Sequence, residues 1–201
     1  MKDTKNVSLF INCATKALQF GLLTDEGFFL SDKDSPKKAL EHANIMIDNL
    51  LKEHSLTLKD VRNFYCLLGP GSNTGIRLGL TIVRTLYAFD NTIRIYGIKT
   101  MDLLTKESSH AVLSDRNGNL YYGTREDDNC SYTRVDKEDI ENSITCKTIT
   151  VEGDDEIAID ELKSHELVKV NVVSMMEKYK DSFKDYSDDE ENFLPEYILS
   201  I

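Results

Sequence analysis

At 201 residues, 40 % of them apolar, the chain is long enough to bury one large core or two smaller ones. No apolar run approaches the roughly 18 residues of a membrane span, and the opening text MKDTKNVSLFINCATKA lacks the parts of an export signal, so a soluble, cytoplasmic protein is expected. A formal net charge of −11 repels a phosphate backbone, whose binding depends on Lys and Arg displacing counterions, and so argues against nucleic acid gripped by this chain alone.

Val7 to Leu23 (VSLFINCATKALQFGLL) predicts two strands around a polar break at Thr15 and Lys16, with a third at Glu26 to Leu30, an antiparallel meander. Ser35 offers an N-cap with Pro36 at the first helical position. Ala39, Leu40, Ala43, Met46, Ile47, Leu50 and Leu51 then recur at helical spacing, ending near His54. Arg62 to Leu68 reads as a strand, followed by a glycine turn, a helix to Phe89 and a strand at Ile93 to Ile98. A short helix follows Lys99, and His110 to Ser114 and Asn119 to Arg125 pair around Asp115-Arg116-Asn117-Gly118, with a further strand at Cys130 to Val135. The pattern is weak from Asn142 to Leu162. Val168, Val172, Met175, Met176 and Tyr179 share one helical face, which predicts a helix over 168–179. The acidic runs Glu152 to Glu161 and Asp181 to Glu191 read as solvated loops. Phe193 to Ile201 is apolar enough to dock back on the body. Cys13, Cys66, Cys130 and Cys146 have no CxxC spacing and read as reduced core thiols.

The run LLGPGSNTGIRLGL carries the most information. A P-loop register with Lys-Ser/Thr is missing, and the dinucleotide pattern beginning at Gly69 and Gly71 meets Thr74 in place of its third glycine. What remains is a tight turn, Gly69-Pro70-Gly71-Ser72, with Ser72 or Thr74 available to cap the next helix. Gly75 and Gly79 each cost about 0.8–1 kcal/mol relative to Ala inside a helix, so something must offset them, and close approach of another helix is the expected reason. Ile76, Leu80, Val83 and Tyr87 form one apolar row and Leu78, Ile82, Leu86 and Phe89 a second, with Arg77, Thr81, Arg84 and Ala88 as a narrow polar stripe. That pattern predicts burial on nearly all sides, one row on the chain's own sheet and the other on a second helix or a partner.

With Gly69, Pro70, Gly71, Ser72, Thr74, Gly75, Arg77, Gly79 and Leu80 in order after the fourth strand, the chain resembles the TsaB family over Val61 to Leu104. Weaker agreement lies around His42 and Ala43, in Asp115-Arg116 with Tyr121, and in Pro195-Glu196-Tyr197. The resemblance implies an α/β, two-lobed fold of the actin-like, sugar-kinase-like (ASKHA, ribonuclease H-like) kind. Residues 1–99 would form the first lobe, 100–192 a divergent and shortened second lobe, and 193–201 a tail docking on the first. It also implies a non-catalytic subunit of the complex that forms tRNA threonylcarbamoyladenosine, with no cofactor of its own, though a nucleotide at the partner interface stays open. Its partners would be a TsaD-type catalytic subunit and a TsaE-type ATPase, with a homodimer when alone and tRNA reached only through the complex. The contact expected from the family is helix against helix, through Ala43 and Ile47 on one and Gly75, Ile76, Leu78, Gly79, Ile82, Val83 and Leu86 on the other.

Departures bear on chemistry. Asn12-Cys13-Ala14 stands where many relatives have Asp-Thr-Ser, removing the carboxylate and hydroxyls that help hold a metal-bound nucleotide. Asn73 replaces a usual aromatic, and Met46 stands four residues after His42 where the catalytic paralogue has a second metal-binding histidine. A diverged ATPase or kinase, with Asp115 substituting for the missing carboxylate, is the alternative. A peptidase finds no supporting Cys/His or Ser/His motif.

Overall fold

The computed structural model describes residues 7–33, 39–115, 117–144, 146–153 and 155–196. The expected cap at Ser35 and Pro36, Arg116 of the hairpin turn, and the tail from Tyr197 onward lie outside these residues. The first half runs β1 (Val7–Asn12), β2 (Leu18–Thr24), β3 (Gly27–Lys33), α1 (Ala39–Glu53), β4 (Val61–Leu67), α2 (Asn73–Phe89) and β5 (Arg94–Ile98), the order predicted. The second half runs α3 (Thr100–Ser108), β6 (His110–Ser114), β7 (Leu120–Glu126), β8 (Asn129–Val135), α4 (Ile140–Ser143), β9 (Thr148–Glu152), α5 (Glu156–Glu161), β10 (Glu166–Val170), α6 (Val172–Lys178) and β11 (Lys184–Asp185).

Among the described residues these strands form two sheets, ordered β11-β5-β4-β1-β2-β3 and β10-β9-β6-β7-β8. Without β11, the two halves share one plan. An antiparallel meander of three strands is extended from its first strand by two parallel ones, β4 and β5 in the first sheet and β9 and β10 in the second. β1 sits centrally between β2 and β4, which is why VSLFIN is apolar nearly throughout and buried at every position. Its neighbours point to opposite faces: Ile11 lies under α2, while Phe10, paired with Gly21, faces the side on which α6 packs through Val173.

The layers follow from these faces. α1 covers β2 and β3, and α2 covers β4 and β5. α6 lies on β1 and β2, α3 lies on β6, β7 and β9, and the two helices touch, so Met101, Leu103, Leu104, Val172, Val173 and Met176 are sealed in the middle. A smaller core forms on the outer side of the second sheet from Val112, Leu120, Ile140, Ile149, Val151, Ala158 and Leu162.

Three expectations need correction. The helix predicted over 168–179 is a strand followed by a helix. Val168 and Val170 belong to β10, and the Asn171 side chain accepts from Ser174 N at 2.9 Å to start α6, so an N-cap splits what periodicity joined. The acidic run from Glu152 is no solvated loop, since Glu152 and Asp155 are both fully buried. The run from Asp181 is ordered too: β11 pairs with β5, and Phe183 and Ser187 are buried. The chain therefore returns to the first sheet before Phe193, which is itself fully buried.

Candidate functional site

Two features of the first sheet carry the site: the glycine turn at the start of α2, and the groove between α1 and α2. In the turn Gly69 and Gly71 adopt φ of +109° and +149° around a cis Gly69–Pro70 peptide, conformations a side chain rarely tolerates. Ser72 caps α2, its hydroxyl accepting from Gly75 N at 3.3 Å. The turn is packed on both sides by this chain's own backbone. A Cβ at Gly71 would lie 2.3 Å from Ala14 O, and one at Gly69 would lie 2.6 Å from Glu196 O.

Three backbone donors at the turn and in the first turn of α2 are taken by the chain itself. Ser72 N donates to Ala14 O at 2.7 Å, Gly75 N to Ser72 Oγ, and Ile76 N to Ser72 O at 2.8 Å. Facing the turn, Asn12 is buried and holds the β1–β2 loop together. Its Oδ1 accepts from Ala14 N and Thr15 N at 3.1 and 3.2 Å, and its Nδ2 donates to Thr15 Oγ1 and Gln19 Oε1 at 2.7 and 3.0 Å. Asp115 is likewise tied to its own hairpin, accepting from Asn117 N at 2.8 Å, Asn119 N at 2.9 Å and Asn119 Nδ2 at 2.7 Å. Its carboxylate stabilises a turn rather than standing free for chemistry.

The glycines of α2 serve a different contact from the one expected. A Cβ at Gly75 would sit 1.7 Å from Cys13 O, and one at Gly79 2.9 Å from Cys66 Sγ and 3.6 Å from Ile11 Cγ2. Gly75 and Gly79 therefore let the helix settle onto β1 and β4 of its own sheet rather than onto another helix. Ile76, Leu80 and Val83 share that buried face, and Ala43 of α1 is buried as well. The second row behaves otherwise: Leu78, Ile82 and Leu86 are only half-buried, and Phe89 is 87 % exposed. α2 is thus buried on one face, not nearly all round. Thr74 and Arg77 are exposed at its first turns.

Leu78, Ile82 and Leu86 form one wall of an apolar groove of about 460 Å³, with Thr81 and Thr85 on its rim. Ile47, Leu51, Leu56 and Leu58 form the other, rimmed by Asn44, Asp48 and Lys52. Of the residues predicted for a partner contact, Leu78, Ile82, Leu86 and Ile47 reach this groove, while Gly75, Ile76, Gly79, Val83 and Ala43 are packed inside the chain. Leu56 and Leu58 were missed because they lie in the connection to β4, where no periodicity marks them.

The tail closes over the turn. Glu196 N donates to Leu68 O at 2.6 Å, and the Glu196 carboxylate accepts from Lys99 Nζ at 2.9 Å and from Tyr132 OH at 2.8 Å. Burial raises the Glu196 pKa, but the Lys99 and Tyr132 bonds together outweigh it and hold the group below its usual value. Across the junction, Thr15 Oγ1 and Lys16 N donate to Glu152 at 2.5 and 3.1 Å. The alternation of Thr148–Glu152 (TITVE), with Ile149 and Val151 on the opposite side from the threonines, is the signal that would have placed this strand and its terminal carboxylate.

Comparison with known proteins agrees with this architecture. Residues 33–185 match the family model described as TsaD: tRNA N6-adenosine threonylcarbamoyltransferase. YeaZ from Pseudomonas aeruginosa superposes with a TM-score of 0.68 at 15 % identity, covering 96 % of this chain and 100 % of that one. A second solved structure, an uncharacterized protein with similarity to peptidase YEAZ from Pseudomonas aeruginosa, gives 0.69 at 16 % identity, with coverage of 96 % and 100 %. The fold is thus that of YeaZ, in keeping with the expected two-lobed α/β class. An uncharacterized MG208 homolog of Mycoplasma pneumoniae is 28 % identical over 106 residues, 51 % of this chain and 54 % of that protein, so the chain spans about half the length of this curated relative. By its matched residues and its fold, the chain belongs to the TsaD tRNA N6-adenosine threonylcarbamoyltransferase family.

Proposed function

We propose that this chain is a TsaB-type, non-catalytic subunit in tRNA threonylcarbamoyladenosine formation. It pairs with a TsaD-type catalytic subunit that transfers the threonylcarbamoyl group to the adenosine beside the anticodon. The observation that carries this reading is the groove between α1 and α2, floored by the buried Ile47 and Leu51, where Leu78, Ile82, Leu86 and Leu58 present apolar surface that the described residues leave partly uncovered. The packed glycine turn favours assembly over phosphotransfer, because the backbone oxygens of Ala14 and Glu196 close on its two glycines and Ser72 N and Gly75 N are already bound within the chain. The net charge of −11 leaves tRNA contacts to the partner. A TsaE-type ATPase joins the same assembly, and without a partner the groove supports a homodimer.

Co-purification with the organism's TsaD homologue tests this. Leu78→Asp and Ile82→Asp, which place a charge in the groove, are expected to abolish association; both side chains also pack on the core, so the isolated chain should melt somewhat lower yet keep its folded circular dichroism spectrum. Wild-type association by both variants would refute the groove as the docking surface. Robust ATP hydrolysis by the purified chain, lost in Asp115→Ala, would instead favour the diverged ATPase.

A further inference from the structure

The end of β9 meets the β1–β2 loop across the junction of the two sheets, and the contact is made by one carboxylate. Glu152 is fully buried. Its Oε1 accepts from Thr15 Oγ1 at 2.5 Å, 137 residues away in the chain, and its Oε2 accepts from Lys16 N at 3.1 Å. Thr15 is itself fixed by Asn12, so the Glu152 carboxylate is joined through Thr15 to β1, the central strand of the first sheet. We propose that Glu152 is a proton-sensitive clasp that sets how tightly the second sheet closes on the β1–β2 loop.

The groups facing it define the response. From the β1–β2 loop come the Thr15 hydroxyl and the Lys16 and Ala17 amides, which favour the carboxylate. The Lys16 ammonium is drawn off to Glu156 of α5 at 3.6 Å, and so stands as a partner of α5 rather than of Glu152. From the β9–α5 connection comes Asp155, also buried, whose charge opposes that of Glu152. On β10 the paired residue is Val170, which carries no charge. Burial is the largest influence and raises the Glu152 carboxyl from 4.5 to about 7, against the pull of the Thr15, Lys16 and Ala17 donors.

The sign follows from linkage. The closed junction holds the proton more tightly than an opened, hydrated one, so closure is strongest below pH 4.5 and weakens as pH rises from 4.5 to 7, with no further loss above. A difference of that size multiplies the opening constant by at most about 300-fold over the window.

Amide hydrogen exchange resolved by residue, corrected for intrinsic rates, reads the opening. In the wild-type chain, protection at Lys16 is expected to fall by up to about 300-fold between pH 4.5 and 7, while Leu113 within the β6–β7 pair changes far less. Glu152→Gln, of equal size and uncharged throughout, should give a flat profile at Lys16. Carbon-detected NMR of the Glu152 carboxyl supplies a second reading that needs no Gln variant. Its midpoint should lie near 7 and move upward in Thr15→Val, which deletes a donor to the charged form. Equal Lys16 profiles in wild type and Glu152→Gln would overturn the clasp. So would a Glu152 midpoint at an ordinary carboxylate value, or one that Thr15→Val leaves in place.

Discussion

Gly75→Ala separates two explanations of α2. If Gly75 merely thins the helix for a partner, Ala in its place should stabilise the isolated chain by about 0.8–1 kcal/mol through helix propensity. The structure puts the new methyl 1.7 Å from Cys13 O, a backbone atom of a sealed loop. A carbon–oxygen contact needs about 3.3 Å, so α2 or the β1–β2 loop must retreat by roughly 1.6 Å through packed surroundings. Overpacking of this kind costs about 1–3 kcal/mol, and a backbone obstacle belongs at the top of that range, enough to outweigh the propensity gain. The net loss is therefore about 2 kcal/mol. With a urea slope of about 2 kcal/mol/M, the midpoint of unfolding should fall by about 1 M. Gly79→Ala is the internal control, because its nearest neighbour is the side-chain atom Cys66 Sγ at 2.9 Å, and it should lose much less. An unchanged or raised midpoint for Gly75→Ala, with loss only of partner binding, would refute the helix-on-strand reasoning.

Other expectations follow from buried groups. Asp155 accepts from Ser114 N at 2.6 Å, Ser114 Oγ at 2.5 Å and Ala158 N at 3.1 Å, so Asp155→Ala removes the N-cap of α5 and orphans buried donors, at about 3 kcal/mol by thermal or urea unfolding. An effect under about 1 kcal/mol would mean water replaces the carboxylate. Phe193→Ala, at a fully buried anchor of the tail, should cost about 3–5 kcal/mol and open the C-terminal segment to limited proteolysis. Burial raises the Cys66 thiol well above its usual pKa, so Cys66 should resist a thiol reagent until denaturant is added, with the partly exposed Cys130 and Cys146 reacting first. Rapid labelling of Cys66 in the native chain would contradict that packing.

Local features were legible in the residues themselves. The meander, the helix through Ala43 and Ile47, and the capped turn Gly69-Pro70-Gly71-Ser72 each follow from periodicity, turn chemistry or the loss of a Cβ, all of which act within a few positions. The TsaB-like order of the turn residues led to the same fold that comparison with YeaZ gives. Where the text failed, the deciding contact was distant. Asn171 could be read as a cap only once β10 was paired with β9, because Val168 and Val170 fit a strand and a helix face equally well.

Residue order was enough for the succession of elements and the shape of the glycine turn. Tertiary structure alone decided which way they face. Gly75 and Gly79 look the same in the text whether a partner helix or the chain's own β1 lies against them, and only the seating of α2 on Cys13 and Cys66 turned Leu78, Ile82 and Leu86 outward. Glu152 sits in an acidic run that composition assigns to solvent. Its burial comes from β9 lying between β6 and β10 and ending against Thr15, since charge patterning is a local quantity and desolvation depends on what the rest of the chain packs around a group.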